Sequence, residues 1–97
     1  MLSVKIHKSG GDTLVACCDK EILGQTFTDG ELDIHISERF YGGEHLSSEE
    51  FIKILEQATI ANIIGEKSVK AAVEAGLVDE SSVASVCGLK HVQIFSI

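Results

Sequence analysis

The chain has 97 residues, 44% of them apolar, and its 15 acidic residues against eight basic ones give a net charge of −7. This length and composition indicate one globular domain, residues 1–97, and exclude wholesale disorder. The longest apolar stretch runs from Ala58 to Ile64, whereas a membrane span needs about 20 apolar residues, so we expect no membrane contact. The eight basic residues are scattered, which disfavours direct nucleic-acid binding.

The first elements form an N-terminal hairpin. Apolar and polar residues alternate from Leu2 to His7, which predicts a half-buried strand. The turn residues 9–12 connect this strand to a second, apolar and β-branched strand at residues 13–18.

A helical turn and an amphipathic strand come next. Asp19 is predicted to be the N-cap of the turn, and Gly24 lies just past its end. After Asp29 and Gly30, apolar residues alternate with polar ones over residues 32–36. We expect Leu32, Ile34 and Ile36 to face the core and Asp33 and His35 to face outward.

Helical patterns occupy the middle of the chain. Ser47 and Glu50 form a capping box directly before an apolar residue, so a helix is predicted to start after Ser47. The helical pattern runs to Gly65, and a further helix runs from Glu66 to Gly76. The first stripe consists of Phe51, Ile54, Leu55, Ala58 and Ala61, and the second of Val69, Ala72 and Val73.

The chain closes with strands. Asp79 is predicted to cap a short turn, and residues 83–87 and 92–97 are two strands joined around residues 88–90. The element order is therefore β-β-(short α)-β-α-α-β-β. This order predicts an α+β two-layer domain, in which two to three helices cover one face of a mostly antiparallel sheet. The order of the strands within that sheet does not follow from the sequence.

Several short motifs, taken in their order and spacing, resemble a small archaeal family known as domain of unknown function number four hundred twenty-four. The motifs are Cys18-Asp19 with Leu23-Gly24, residues 40–43, residues 58–62 with Gly65-Glu66, Gly76-Leu77, and Gly88 with His91. Lys90 departs from the pattern, because a proline is expected before the histidine. The resemblance implies a cytoplasmic archaeal protein with a compact α+β fold, and it implies no activity.

The loop of residues 40–45, Phe-Tyr-Gly-Gly-Glu-His, is the main candidate for function. Two successive glycines are entropically expensive, so Gly42 or Gly43 is predicted to hold a conformation costly for other residues, through positive φ or close approach. Phe40 is expected to pack inward, and Tyr41 to be at least partly exposed beside Glu44.

Asn62, Glu66 and His91 could add chemistry to this loop. On a continuous helix Asn62 and Glu66 would share one face, and they could face a ligand. Asn62 could instead cap a loop carbonyl, because buried polar groups are usually hydrogen-bonded. His91 could be a general acid or base or could hydrogen-bond a turn carbonyl.

Metal and nucleophile sites have weaker signals. His7, Asp33 and His35 would provide zinc ligands if their strands paired, although the same alternation is typical of a solvated strand face. A Cys18, His91 and Asp19 set would need proximity in space. No cofactor motif is present in the sequence.

The three cysteines and the N-terminus bear on location. Their odd number, without a C-x-x-C pattern, argues against a disulfide framework and a zinc knuckle. The N-terminal residues show no apolar run followed by a cleavage site. We therefore expect buried free thiols in a cytoplasmic protein.

Two functions of different classes remain. The first is a non-catalytic binding or adaptor module for a protein partner, which uses the loop 40–44, the adjacent helix and an exposed sheet edge that could also join copies. The second is a small acid/base enzyme. The candidate binding residues are Tyr41, Gly42, Gly43, Glu44, Asn62, Glu66 and His91, and the enzyme cleft would use the five of them that are not glycine. Convergence around open space favours the enzyme, and a filled contact favours the adaptor.

Overall fold

Eight strands and three helices make up the computed structural model, which describes residues 1–95. The strands are β1 (Leu2–Ser9), β2 (Asp12–Asp19), β3 (Thr26–Asp29), β4 (Leu32–His35), β5 (Glu44–Leu46), β6 (Ile60–Ile64), β7 (Ala84–Val86) and β8 (Leu89–Phe95). The helices are α1 (Glu38–Tyr41), α2 (Ser48–Leu55) and α3 (Glu66–Glu74), with 3-10 turns at Lys20–Ile22 and Glu80–Ser82. Within residues 1–95, no helix is long and apolar enough to span a membrane.

A six-stranded mixed sheet with the order β5-β1-β2-β6-β8-β7 organises the fold. Its strand pairs are antiparallel except for β2 and β6, which are parallel. Strands β3 and β4 form a separate antiparallel hairpin. The prediction of an α+β domain with a mostly antiparallel sheet is confirmed.

The sheet has two covered faces. Helices α2 and α3 pack on one face, where Phe51 and Leu55 meet buried residues of β2 and β6 such as Val15 and Ile63. The segment from Lys20 to Gly43 covers part of the other face. Its buried members Ile36 and Tyr41 lie against Ala16, Cys18 and Ile64. Phe40 and Tyr41 of the candidate loop therefore lie on the face opposite the two longer helices, whereas Gly43 leads into the edge strand β5.

Several local predictions are confirmed. Both hydrogen bonds of the capping box between Ser47 and Glu50 are present. The N-terminal hairpin is β1 and β2, and the second helix runs from Glu66 to Glu74. Asp79 accepts a hydrogen bond from the Ser81 N–H. The closing hairpin is β7 and β8, with its turn one residue earlier than predicted; residues 96–97 of that predicted strand lie outside the described residues.

The prediction that the first helical pattern continues to Gly65 is wrong. Helix α2 ends at Leu55, and Ile60–Ile64 form the strand β6 between β2 and β8. A central strand covered on both faces has a nearly continuous apolar sequence, which matches a buried helix equally well over so few residues. The β-branched isoleucines favour the strand.

The amphipathic strand after Gly30 is only partly as predicted. Strand β4 pairs with β3, a strand that was not predicted, and this hairpin stands apart from the main sheet. Ile36 is fully buried, as expected, but Leu32 at the outer end of the hairpin is 56% exposed. Asp33 and His35 are exposed. The inward side of β4 is covered only where it approaches the main sheet.

Asp19 precedes the 3-10 turn as predicted, but its side chain does not cap that turn. Its carboxylate accepts hydrogen bonds from the N–H groups of Lys67 and Ser68, at 3.1 and 2.8 Å, and from the Ser68 hydroxyl at 2.7 Å. These donors belong to the first turn of α3, whose N-cap residue Gly65 has no side chain to offer. Asp19 therefore joins the end of β2 to the start of α3.

Candidate functional site

Three side chains of β1 hold the short helix α1 against the sheet. They occupy alternate positions of the strand, so they point to the same face. Each donates a hydrogen bond to a backbone carbonyl of the segment 39–41. The bonds run from Ser3 Oγ to Tyr41 O at 2.7 Å, from Lys5 Nζ to Arg39 O at 2.8 Å and from His7 Nε2 to Phe40 O at 2.8 Å. The aromatic part of the candidate loop is therefore fixed to β1.

The two glycines of the loop are required by close approach and not by positive φ. Gly42 has a φ of −76°, and Gly43 is not among the glycines with positive φ. A Cβ on Gly42 would collide with the carbonyl oxygen of Glu38, and one on Gly43 with that of Val4. The prediction that one of these positions is costly for other residues is thus confirmed. The reason is close approach of the backbone and not a positive φ.

The expected exposure of Tyr41 is wrong, whereas Phe40 packs against the buried cluster of this face, as expected. Tyr41 is buried, with 8% of its surface exposed, whereas Phe40 is half-buried. Both residues belong to α1 and do not continue a strand alternation. The Phe40 ring stacks on His7, with centroids 5.1 Å apart, and Tyr41 meets Phe40 edge-on. Tyr41 is therefore a core residue and not an exposed contact.

Tyr41, Asn62 and His91 come together on this face. The Tyr41 hydroxyl donates to Asn62 Oδ1 at 2.6 Å, and His91 Nε2 lies 3.2 Å from the same oxygen, to which it can donate. Burial raises the pKa of Tyr41 to about 12 and lowers the pKa of His91. Asn62 thus does not cap a loop carbonyl; it accepts hydrogen bonds from two side chains on α1 and β8.

The two predicted carboxylates lie away from this contact. Asn62 is in β6 and Glu66 is the first residue of α3, so they do not share a helix face as predicted. Glu66 forms an exposed ion pair with Lys90 at 3.3 Å. Glu44 is exposed on β5, opposite Val4. Of the five residues proposed for an enzyme cleft, three meet and two do not.

The hypothetical metal cluster does not form. His7 is bonded to Phe40 O, whereas His35 contacts Thr26 Oγ1 at 2.9 Å on the outer hairpin. Asp33 accepts a bond from Thr28 on the same hairpin. Across residues 1–95, no three His, Cys, Asp or Glu side chains are grouped so that they could hold a metal ion.

The cysteines next to Asp19 are poor nucleophiles. Cys17 and Cys18 are fully buried, and burial raises the pKa of each thiol to about 12. A thiol with such a pKa is protonated at neutral pH, whereas the nucleophile is the thiolate. The acid of the hypothetical set, Asp19, accepts its hydrogen bonds from the first turn of α3.

Three surface cavities lie elsewhere. One of about 710 Å³ separates α2 from α3, and one of about 500 Å³ lies between α3 and β8. The third, of about 280 Å³, lies where the candidate loop, α2 and β1 meet. It is lined by Val4, Lys5, Ile6, Gly43, Glu44, Leu46 and Ile54. None of the three is lined by Tyr41, Asn62 or His91.

The third cavity adjoins an open edge of β1. Strand β1 has eight residues, but β5 pairs only with residues 2–4, so the edge of residues 5–9 has no partner strand among the described residues. Ile6 lies on this edge and is 45% exposed. None of the sequence-based predictions concerned this part of β1. Its signal is the first stretch of the chain, which contains Lys5 and Lys8 and no acidic residue before Asp12.

These features define a small α+β domain in which Tyr41, Asn62 and His91 are hydrogen-bonded inside the fold. The end of the candidate loop borders the open edge of β1. The chain belongs to the family described as "Protein of unknown function (DUF424)", whose family model matches residues 7–97. The resemblance found in the sequence motifs is thereby confirmed.

A solved structure has the same fold. It is the crystal structure of an uncharacterized conserved protein from Methanopyrus kandleri, to which the chain is similar with a TM-score of 0.84 and 26% sequence identity. The match covers 99% of this chain and 91% of that chain. No curated protein matches the sequence.

Proposed function

We propose that this protein is a non-catalytic binding module that takes a protein partner at the junction of the loop 40–44, helix α2 and the open edge of β1. One observation carries the proposal: the 280 Å³ cavity is lined by Gly43 and Glu44 of the loop, by Ile54 of α2 and by Ile6 of the edge. A cavity with apolar walls beside polar groups is suited to hold a partner side chain.

The chemistry of the other candidates supports binding over catalysis. Tyr41 and His91 are both hydrogen-bonded to Asn62, and the three cavities described lie elsewhere. An acid/base site needs its groups around space that a substrate can enter. The contact is better explained as the means by which α1 is fixed to β6 and β8.

The 710 Å³ cavity between α2 and α3 does not indicate a class of partner. Its charged rim consists of Lys53, Lys67 and Lys70 with Glu49, Glu56 and Glu74. Lys67 is already paired with Glu21 at 3.0 Å. Equal numbers of opposite charges favour no class of partner, whereas Lys5 and Lys8, the charged residues of the open β1 edge, are both basic and outnumber the neighbouring Glu44.

The proposal places the protein in the cytoplasm and gives it a protein partner. Cys17, Cys18 and Cys87 are free thiols, which suits a reducing compartment. The net charge of −7 does not suit nucleic acid.

A capture experiment with paired variants tests the proposed surface. The tagged full-length protein is incubated with lysate of its native organism, and bound proteins are compared among wild type, Ile6→Glu and Leu32→Glu. Ile6 and Leu32 are both exposed apolar strand residues, but Leu32 is on the outer hairpin. We expect a specific partner to be lost with Ile6→Glu and retained with Leu32→Glu.

Circular dichroism of both variants verifies that each is folded. A partner that binds Ile6→Glu as well as wild type, or that is lost only with Leu32→Glu, would remove the edge as the binding surface. Turnover that depends on His91 in a purified sample would favour the enzyme instead.

A further inference from the structure

We infer that the partner contributes an extended acidic segment that adds to the sheet as a further strand along residues 5–9 of β1. This inference rests on the proposed function and names the kind of partner. Strand addition to an exposed sheet edge is a known mode of peptide recognition, in which main-chain hydrogen bonds give affinity and pockets for alternate side chains give specificity.

The backbone of β1 has the required donors and acceptors. Ser9 pairs with Asp12 across the two-residue turn Gly10-Gly11, so these two residues exchange hydrogen bonds and the odd-numbered residues of β1 point their N–H and C=O groups toward β2. The even-numbered residues therefore point theirs outward. Strand β5 meets Leu2 and Val4 and ends before Ile6 and Lys8. The N–H and C=O groups of Ile6 and Lys8 are thus available to a new strand.

The 280 Å³ cavity supplies the side-chain pocket. Residues directly opposite each other in neighbouring strands have side chains on the same face. A residue paired with Ile6 would therefore direct its side chain to the face of α2, where Ile6, Leu46 and Ile54 line the cavity. The position opposite Ile6 is predicted to be apolar.

Charge identifies the remaining positions as acidic. The edge contains Lys5 and Lys8, together with His7, in a chain whose net charge is −7. Lysine on an edge strand normally discourages pairing with other strands, and pairing with a second copy would bring Lys5 and Lys8 of both chains together. An acidic strand turns the same charges into attraction. The charge therefore favours an acidic peptide over a second copy of this chain.

Synthetic peptides test the inference directly. The probe is an end-blocked peptide of about seven residues, the length of an ordinary strand, in which one central valine is flanked on both sides by glutamates. The valine would pair with Ile6 and face the cavity, and glutamates would lie opposite Lys5 and Lys8. Calorimetry on the full-length protein is expected to show binding that weakens with salt, and a peptide with lysine at every glutamate position is expected not to bind.

Backbone methylation distinguishes strand addition from side-chain binding. In a strand, only alternate N–H groups face the neighbouring strand, so two peptides are made, each methylated at one alternate set of amides. We expect one peptide to lose about tenfold or more in affinity and the other to bind nearly as well as the unmodified probe.

Paired protein variants locate the site. Lys8→Glu should weaken the probe about fivefold through charge reversal, whereas Lys20→Glu, at the other end of β1 beside Asp19, should leave affinity unchanged. Equal loss in both variants, or equal loss with both methylated peptides, overturns strand addition.

If a partner is captured through Ile6 but the acidic peptide does not bind, the proposed binding module stands. Only the inference of an acidic added strand is then overturned. A dimer in which the Ile6 and Lys8 amides are protected from exchange would instead assign the edge to a second copy.

Discussion

The Tyr41 hydroxyl lies 2.6 Å from Asn62 Oδ1, so a residue at the end of α1 is hydrogen-bonded to the central strand β6. Tyr41 is also buried against Ala16, Cys18 and Ile64. The middle of the candidate loop is therefore part of the core, and only its end at Gly43 and Glu44 borders the proposed surface.

Tyr41→Ala is expected to destabilise the protein by about 3–5 kcal/mol, because it leaves a cavity where an aromatic side chain was buried. Tyr41→Phe keeps the ring and should cost about 1 kcal/mol for the lost hydrogen bond. Urea unfolding measures both values. Phe95→Ala is the control, since Phe95 is 65% exposed. A Tyr41→Ala variant as stable as the control would mean that the loop is not part of the core.

Gly43→Ala is expected to cost about 2 kcal/mol or more, because the new Cβ collides with backbone that cannot move without disturbing β5 and β1. Gly11→Ala is the matched control, since nothing lies within 4 Å of a Cβ there. Its free energy of unfolding should stay within about 0.5 kcal/mol of wild type. Equal stability of the two variants would show that β5 tolerates displacement.

Asp19→Ala is expected to destabilise the protein by about 3 kcal/mol, because it removes three hydrogen bonds to a buried carboxylate and leaves the Ser68 hydroxyl without its acceptor. Asp79→Ala removes an exposed cap with a single bond and should cost about 1 kcal/mol or less. Thermal unfolding of the two variants compares them. Equal losses would show that Asp19 is an ordinary surface cap.

His91 should make stability depend on pH. Burial lowers the pKa of folded His91 below its ordinary value of 6.5, so the unfolded chain binds a proton first as the pH falls. The contribution of neutral His91 to the free energy of unfolding is complete above pH 6.5, the ordinary pKa. It is lost as the pH falls toward the lower pKa of the folded protein. The urea midpoint of wild type should therefore decline more steeply below about pH 6.5 than that of His91→Gln. Parallel curves would contradict a lowered pKa of the partly buried His91.

Local signals in the sequence predicted the elements whose ends are set by neighbouring residues. Ser47 with Glu50 fixed the start of α2, and Gly76 lies just beyond α3. The path of residues 56–64 could not be predicted, because an apolar run of this length fits a buried strand and a helix equally well. That one ambiguity also misplaced Asn62 relative to Glu66.

The site could be predicted only in part, because it depends on long-range pairing. The sequence indicated Tyr41, Asn62 and His91 one by one. Their contact requires β6 to pair with β8, which no local pattern predicts. The burial of Tyr41 follows from α1, a helix of four residues whose Ser37 cap does not stand out in the sequence. The open edge depends on β5 being shorter than β1, which is a property of the sheet and not of either strand.

We propose that a protein partner binds at the open edge of β1. Amide hydrogen exchange of the protein, alone and with the captured partner, tests it most directly. The amides of Ile6 and Lys8 face outward and should exchange rapidly in the free protein, and the partner should slow them at least tenfold, by roughly 1.4 kcal/mol. The amides of Lys5 and His7, already bonded to β2, should be slow in both states. Protection confined to α2 and α3, with Ile6 and Lys8 unchanged, would contradict the account.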